Sequence, residues 1–437
     1  MTNGYIIKDF VKYVSLSIVG MICISIYIIA DTYFIAQAMG AYGLASLNIA
    51  ISVFSIISGF GLMIGIGGAT KYTIQKNKGD EANPIFTHSL LIGLIVSIIF
   101  IIIGAFFVEP LAMQLGANYD ILNKTVVYMR TILLFSPVFM LNHILTAFIR
   151  NDGNPKLAMF GTLVGSFSNI MLDYIFLFPL SMGMFGAALA SGLSFTLCVM
   201  VLLFHFITGK NKFCLCRCKI KIGKIMDVFK LGSSSLINEL AFGISLIVFN
   251  LVIIGIEGNV GVATFGIVAN IAIIAIFMFN GVAQGIQPLI SKGYGSGNRD
   301  LIKLPLKYAI ITVVALAVIF YAIVFINATA IVYAFNSEAN PTLTQFATSG
   351  IKIYFIGLFF VGINIVVAAF FSAIDNPKLA VLVSLLRSCI IIIPMVIILS
   401  AVLGMNGVWL SFVFSELIVC VLAVFLLNIF NAQSATS

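Results

Sequence analysis

Twelve runs of apolar residues, each long enough to cross a lipid bilayer as a helix, follow one another along this chain of 437 residues. A helix that spans the hydrocarbon core needs about 20 such residues. With 61% hydrophobic and only 9% charged residues the chain cannot be a soluble domain, because a water-facing surface needs more charge. The alternating pattern of a membrane β-barrel does not occur in the sequence. We therefore predict an all-α polytopic membrane protein with helices at 14–38, 47–70, 86–108, 121–148, 156–178, 186–208, 231–256, 262–290, 306–333, 344–371, 378–400 and 407–429.

An internal repeat relates the two halves of the chain. The sequence Asn-Pro-Lys-Leu-Ala stands at 154–158 and again at 376–380, an offset of 222. Weaker matches at similar offsets agree with it, such as Gly43 with Gly261 and Gly186 with Gly407. Each repeat holds six predicted helices, an even number, so both halves enter the membrane from the same side. This predicts two six-helix bundles related by a pseudo-twofold axis along the membrane normal, an arrangement typical of transporters.

The repeat also sets the expected domain boundaries. Helices 1–6 form a first lobe at 1–208, a basic cytoplasmic loop at 209–230 joins the lobes, and helices 7–12 form a second lobe at 231–437. The chain is expected to act as a monomer.

Basic residues predict the orientation in the membrane. Of the 23 Lys and Arg residues, 19 lie at the N-terminus or in every second connection, and the opposite connections hold only Lys124. The excess of positive charge marks the cytoplasmic side. We therefore expect both termini and the 209–230 loop in the cytoplasm of a bacterial cell, and we attribute the net charge of +8 to topology and lipid headgroups rather than to nucleic acid.

Acidic residues inside the predicted spans indicate where function lies. A charge within the bilayer is costly, so such residues tend to face a cavity or a partner. The acids are Asp31, Asp173, Glu239 and Glu416, and the bases within spans are Arg130, Lys352 and Arg387.

The first half contains a candidate cation site. Asp31 lies in helix 1, Asn169 and Asp173 share a face of helix 5, and Ala187 and Ser191 share a face of helix 6. Two carboxylates with amide and hydroxyl oxygens suit a dehydrated Na⁺, for which Asp31 and Asp173 would be the metal ligands. The same acids suit a proton, because an ionised carboxyl is costly in lipid. Simple hydrogen bonding of these acids to neighbouring backbone or Tyr remains the alternative.

The start of the second half contains a polar stripe. Glu239 and Asn250 share a face of helix 7, and Asn280, Gln284 and Gln287 follow one another at helical spacing on helix 8. One acid among amides, aromatic residues and Met would attract a lipophilic cation, so we predict these five as substrate-binding residues. The alternative is that Glu239 or Glu416 pairs with Arg387 or Lys352.

Other motifs exclude several functions. The sequence has no HExxH, P-loop or GxSxG motif, so an enzyme or an ATP-driven pump lacks its residues. Energy must come from an ion gradient, and no cofactor is expected. Cys214, Cys216 and Cys218 lack the spacing of a zinc site, and we interpret them as part of an ordinary loop.

These residues resemble those of bacterial multidrug and toxic compound extrusion (MATE) transporters. The resemblance rests on twelve helices in two parallel repeats, on the run Ile29–Ile35 around Asp31, and on Asn-Pro-Lys after helices 4 and 10. It covers nearly the whole chain. The proposed cation-site residues match those of the family, with Ser191 where a Thr is often found. Helix 1 has no Pro, which some relatives use to bend it.

The resemblance implies an antiporter in the cytoplasmic membrane that exports organic cations and drugs in exchange for H⁺ or Na⁺ by alternating access. A flippase for a lipid-linked precursor, which shares the general fold, and an integral membrane enzyme are the alternatives. A flippase would be expected to have basic residues in its cavity, for which Arg387 and Lys352 are the candidates.

Overall fold

The fold is helical throughout the part of the chain that the computed structural model describes, residues 3–335 and 341–436. Its apolar segments, labelled α1–α12 in chain order, are Gly4–Gly40, Tyr42–Lys78, Asn83–Phe106, the bent pair Tyr119–Leu134 with Ser136–Asn151, Pro155–Leu177, Gly183–Ile207, Ile222–Gly258, Val260–Gly295, Asp300–Ile326, Pro341–Ala373, 377–403 and 405–430. Short helices Val108–Gln114 and Ala328–Phe335 precede α4 and α10. The predicted all-α polytopic fold is confirmed, since no strand occurs among the described residues.

Several helices are longer than predicted. Helix α1 begins at Gly4 rather than near residue 14, and α7 begins at Ile222 rather than near 231. The prediction placed the limits of each helix where charged residues appear. Charged residues are nevertheless good helix formers, so these helices continue beyond their apolar portion.

The repeat extends to the backbone conformation. Gly residues with positive φ separate α1 from α2, α5 from α6, α7 from α8 and α11 from α12. They occur as matched pairs at the sequence offsets already noted: Gly40 (φ 62°) with Gly258 (φ 58°), and Gly183 (φ 58°) with Gly404 (φ 57°). The repeated Asn-Pro segments also agree, because Asn154 and Asn376 each accept a hydrogen bond from the backbone N–H three residues on, at 3.3 and 3.4 Å. Both halves therefore use the same local signals to end and begin their helices.

Contacts divide the chain into two compact units. The first unit comprises Ser15–Leu240 with Ser291–Arg299, and the second comprises Met1–Val14, Ala241–Ile290 and Asp300–Ser437. Helices α1, α7 and α8 each contribute to both units.

Glycines allow close helix packing in the first unit. A Cβ added at Gly67 of α2 would overlap the carbonyl oxygen of Val228, and one at Gly232 of α7 would overlap that of Met63. The other glycines in this part of α2 are similarly crowded: Gly59, Gly61, Gly65 and Gly68. Their role in packing is thus visible directly, since small residues let backbones approach.

Candidate functional site

Two carboxyl groups face each other inside the first unit. Asp31 is in α1 and Asp173 is in α5, where its side chain is fully buried. The two groups are close enough to form a hydrogen bond with each other. No other described residue donates a hydrogen bond to Oδ1 of Asp31 or to either oxygen of Asp173. Two carboxylates cannot hydrogen-bond without a hydrogen, so a pair this close is suited to share a proton or to hold a cation between its oxygens.

Helices α5 and α6 supply further oxygen atoms at the pair. Asn169, one turn before Asp173, is 1% exposed and donates through Nδ2 to Ser191 Oγ at 3.4 Å. Its own Oδ1 is buried and receives no hydrogen bond from the described residues. Ala187 is fully buried one turn before Ser191. The structure therefore brings Asn169 to Ser191 as well as Asp31 to Asp173, and it leaves acceptor oxygens unused.

Two tyrosines complete this cluster. Tyr128 of α4 is 5% exposed, lies close enough to Ser191 for a hydrogen bond and is within electrostatic range of both acids. Tyr27, one turn before Asp31, lies within range of Asp31, Asp173 and Glu239. Tyr128 was not predicted from the sequence, where its only signal was a phenol hydroxyl between Val127 and Met129.

The donor set limits which ion would fit. It consists of oxygens alone, from two carboxylates, an amide and hydroxyls. These are hard ligands, which suit Na⁺ or a proton and not a soft transition metal. Among the described residues, no group of three His, Cys, Asp or Glu side chains is placed to hold a metal ion.

The predicted substrate-binding residues are divided between the units. Glu239 belongs to the first unit and lies next to Gly59 of α2. Asn250, Asn280 and Gln284 are half-buried in the second unit, and Gln287 there is 4% exposed. Gln284 and Gln287 already have polar partners within the protein.

Glu416 forms an ion pair within the second unit. Its Oε1 accepts a hydrogen bond from Arg387 Nε at 2.8 Å, and its Oε2 accepts one from Asn364 Nδ2 at 2.7 Å. Lys352 is exposed and lies over the ring of Phe325 at 5.5 Å. Glu416 therefore pairs with Arg387, as the alternative given in the sequence analysis had it, and its charge is compensated by that residue.

The cysteine run does not form a bonded cluster. Cys214, Cys216 and Cys218 are free thiols in the segment between α6 and α7. Backbone N–H groups of Cys214 and Cys216 donate to Asn83 Oδ1 and Thr87 Oγ1 at 3.3 and 3.1 Å. The segment is thus held chiefly through its backbone.

Comparisons with known proteins agree with this architecture. The MatE family model matches residues 17–175 and 235–398, most of the chain, and the second match starts 218 positions after the first. Multidrug export protein MepA of Staphylococcus saprophyticus is 26% identical over 413 residues, which cover 94% of this chain and 90% of that protein. MepA of Staphylococcus aureus (strain MRSA252) is 26% identical over 416 residues, with 94% and 90% covered.

A solved structure has the same fold. The outward-facing conformation of a multidrug resistance MATE family transporter of the MOP superfamily aligns with a TM-score of 0.93 at 21% identity, covering 98% of this chain and 97% of that one. Together with the family match, this confirms the resemblance drawn from the residues. The chain therefore belongs to the MatE family, the multidrug and toxic compound extrusion transporters, and is a transporter rather than an enzyme.

Proposed function

We propose that this protein is a cation-coupled antiporter that exports lipophilic organic cations from the bacterial cytoplasm in exchange for H⁺ or Na⁺. The observation that carries the proposal is the facing pair Asp31 and Asp173, in which Oδ1 of Asp31 and both oxygens of Asp173 lack donors among the described residues. The names of the MepA relatives, which are multidrug export proteins, support the direction and the substrate class. Basic residues on alternate connections support a plasma-membrane orientation with both termini in the cytoplasm.

The cation site would comprise Asp31, Asn169, Asp173, Ala187 and Ser191. Occupation by a proton or Na⁺ would compensate the paired charge, because neither acid forms a salt bridge with a basic side chain among the described residues. Because the donor set accepts either ion, we propose H⁺ and Na⁺ as equivalent candidates for coupling.

Coupling needs only a difference in affinity between two conformations. If the coupling ion binds one arrangement of the transporter better, and the exported cation binds the other, each ligand shifts the population that the next one needs. Tyr27 lies within electrostatic range of Asp31, Asp173 and Glu239, which supports Glu239 as a third acid that would attract the exported cation. The wider substrate set would add Asn250, Asn280, Gln284 and Gln287.

The compensation of Glu416 by Arg387 supports this proposal over a lipid-linked precursor flippase. A flippase cavity would need basic side chains for phosphate groups. Arg387 is instead engaged at 2.8 Å with a carboxylate.

The experiment uses purified full-length protein in liposomes loaded with ethidium, a fluorescent lipophilic cation. An acidic exterior or an inward Na⁺ gradient is imposed separately, and release is followed by fluorescence. We expect one gradient to accelerate release at least tenfold, and Asp31→Asn to abolish this acceleration. Glu109→Gln, which removes an exposed acid, is the matched control and should behave like the unmodified protein.

If folded protein released ethidium at the same rate with and without each gradient, cation coupling would be contradicted. Full gradient-driven release by Asp31→Asn would contradict the assignment of the site. A drug-susceptibility panel in efflux-deficient cells separates an exporter, which confers resistance, from a flippase, which does not.

A further inference from the structure

The segment 209–221 between α6 and α7, which we call the strap, is fixed to the first unit along its length. Its backbone N–H groups donate to side chains of that unit: Lys212 N to Asp152 Oδ2 at 2.7 Å, and Lys221 N to His88 Nε2 at 3.1 Å. Between these ends lie the bonds of Cys214 and Cys216 to α3. These four hydrogen bonds hold the backbone of the strap in a fixed position on the first unit.

A buried anchor secures the start of the strap. Phe213 is fully buried and packs against Phe86 at a ring-centroid distance of 4.6 Å. Asp152, with a fully buried side chain, also accepts from His205 Nε2 at 3.0 Å and from Lys76 Nζ at 3.2 Å. These contacts use the inner side of the strap and leave its other side chains outside.

The outer side of the strap is basic. From residue 210 to residue 226 the chain contains six Lys or Arg and no acid. Five of the six are exposed, and none of the five forms an ion pair with any residue that the structure describes: Lys210, Lys212, Arg217, Lys219 and Lys221. Their charges are therefore available to an external anion.

Large apolar side chains are exposed between these charges. Leu215 is 68% exposed, Ile220 64% and Ile222 75%. In water such exposure is unfavourable by about 25 cal/mol for each Å² of apolar surface. At the boundary of a bilayer the same pattern is favourable, because apolar side chains enter the headgroup region while Lys and Arg meet lipid phosphates.

We propose that the strap is a binding surface for anionic phospholipids of the cytoplasmic leaflet. Its unpaired basic side chains bind the phosphates. Leu215 and Ile220 of the strap, together with Ile222 at the start of α7, enter the boundary between headgroups and acyl chains. Interleaved apolar exposure favours a bilayer over nucleic acid, whose backbone offers no apolar layer to receive these side chains. The proposal rests on the membrane orientation and is independent of the coupling ion and of the exported substrate.

The test compares two variants of the full-length protein, each lacking four positive charges. The strap variant is Lys210→Gln, Arg217→Gln, Lys219→Gln and Lys221→Gln. The control carries Lys292→Gln, Arg299→Gln, Lys303→Gln and Lys307→Gln, near the connection between α8 and α9. Each protein is taken from nanodiscs of equal phosphatidylglycerol and phosphatidylcholine, and the retained lipids are counted by native mass spectrometry.

We expect the unmodified protein and the control to retain phosphatidylglycerol over phosphatidylcholine, and the strap variant to lose that preference at least fivefold. A second variant, Ile220→Ser with Ile222→Ser, should weaken retention without changing charge. An unchanged lipid ratio in the strap variant would overturn the proposal. So would displacement of phosphatidylglycerol by 10 mM inorganic phosphate or by a short oligonucleotide, since either would indicate a general anion site. Gradient-driven ethidium release, measured in parallel, reports separately on the proposed transport function.

Discussion

The guanidinium of Arg387 lies 2.8 Å from the carboxylate of Glu416. Arg387 is part of Leu386–Ile390, the single π-helical turn among the described residues. Such turns often occur at functional positions. The side chains are 15% and 4% exposed, so each charge depends on the other. Removing one partner of a buried pair leaves an uncompensated charge, which typically costs about 3–5 kcal/mol.

This pair gives the first prediction. Arg387→Met should lower the thermal midpoint of the purified protein by several degrees, and adding Glu416→Gln should restore much of the loss, because the buried charge is then removed. Fluorescence-detected size-exclusion chromatography after heating measures both. If the double variant is less stable than Arg387→Met, the pair contributes through its geometry rather than through charge compensation.

The facing acids give the second prediction. Asp173→Asn should abolish gradient-driven ethidium release, and the double variant Asp31→Asn with Asp173→Asn should be no worse than either single variant, because the two groups act as one site. Folding should persist in all three, since an Asn amide can donate a hydrogen bond to the group that faces it. Additive partial losses in release would indicate two independent sites.

Tyr128 gives the third prediction. Its hydroxyl lies within hydrogen-bonding range of Ser191 beside the acid pair, and a bond of this kind contributes about 1 kcal/mol. Tyr128→Phe should therefore raise the coupling-ion concentration needed for half-maximal release roughly fivefold, without lowering thermal stability by more than a few degrees. Tyr119→Phe is the control, because Tyr119 begins the same helix and is 93% exposed. An equal response to both changes would remove Tyr128 from the site.

The sequence predicted those features that depend on one helix at a time. Apolar runs gave the spans, and positions four apart placed Asn169 and Asp173 on one face, where the structure has them. Pairing between distant helices, such as Arg387 with Glu416, was left open because it depends on how each helix is rotated. The anchoring of the strap was missed for a related reason: its bonds run from the backbone to Asn83, Thr87, His88 and Asp152, and backbone groups leave no residue pattern.

The strap anchor gives the fourth prediction. Asp152→Ala removes the shared acceptor of Lys212 N, Lys76 and His205. Charge-assisted hydrogen bonds in buried sites contribute about 1.5–3 kcal/mol, so the strap should open more often and trypsin should cleave it at least tenfold faster. Asp227→Ala is the control, since that side chain is 41% exposed and its pair with Lys71 is worth at most about 1 kcal/mol. Equal cleavage rates would mean that Asp152 does not hold the strap.

The glycine between α7 and α8 gives the fifth prediction. Gly258 has φ 58° and ψ −147°, a region that is nearly restricted to glycine, and a Cβ there would meet no atom within 4 Å. Any cost of Gly258→Ala therefore comes from backbone strain, about 1–3 kcal/mol, and not from a clash. Gly255→Ala, one turn earlier, adds the same methyl group in open space at an ordinary helical φ, where alanine is favoured by about 0.5–1 kcal/mol. Thermal midpoints should accordingly fall for Gly258→Ala and stay level or rise for Gly255→Ala. Gly40→Ala, at the matching position of the first repeat, should behave like Gly258→Ala. If all three variants have the same thermal midpoint, the positive φ angles are not what separates these helices.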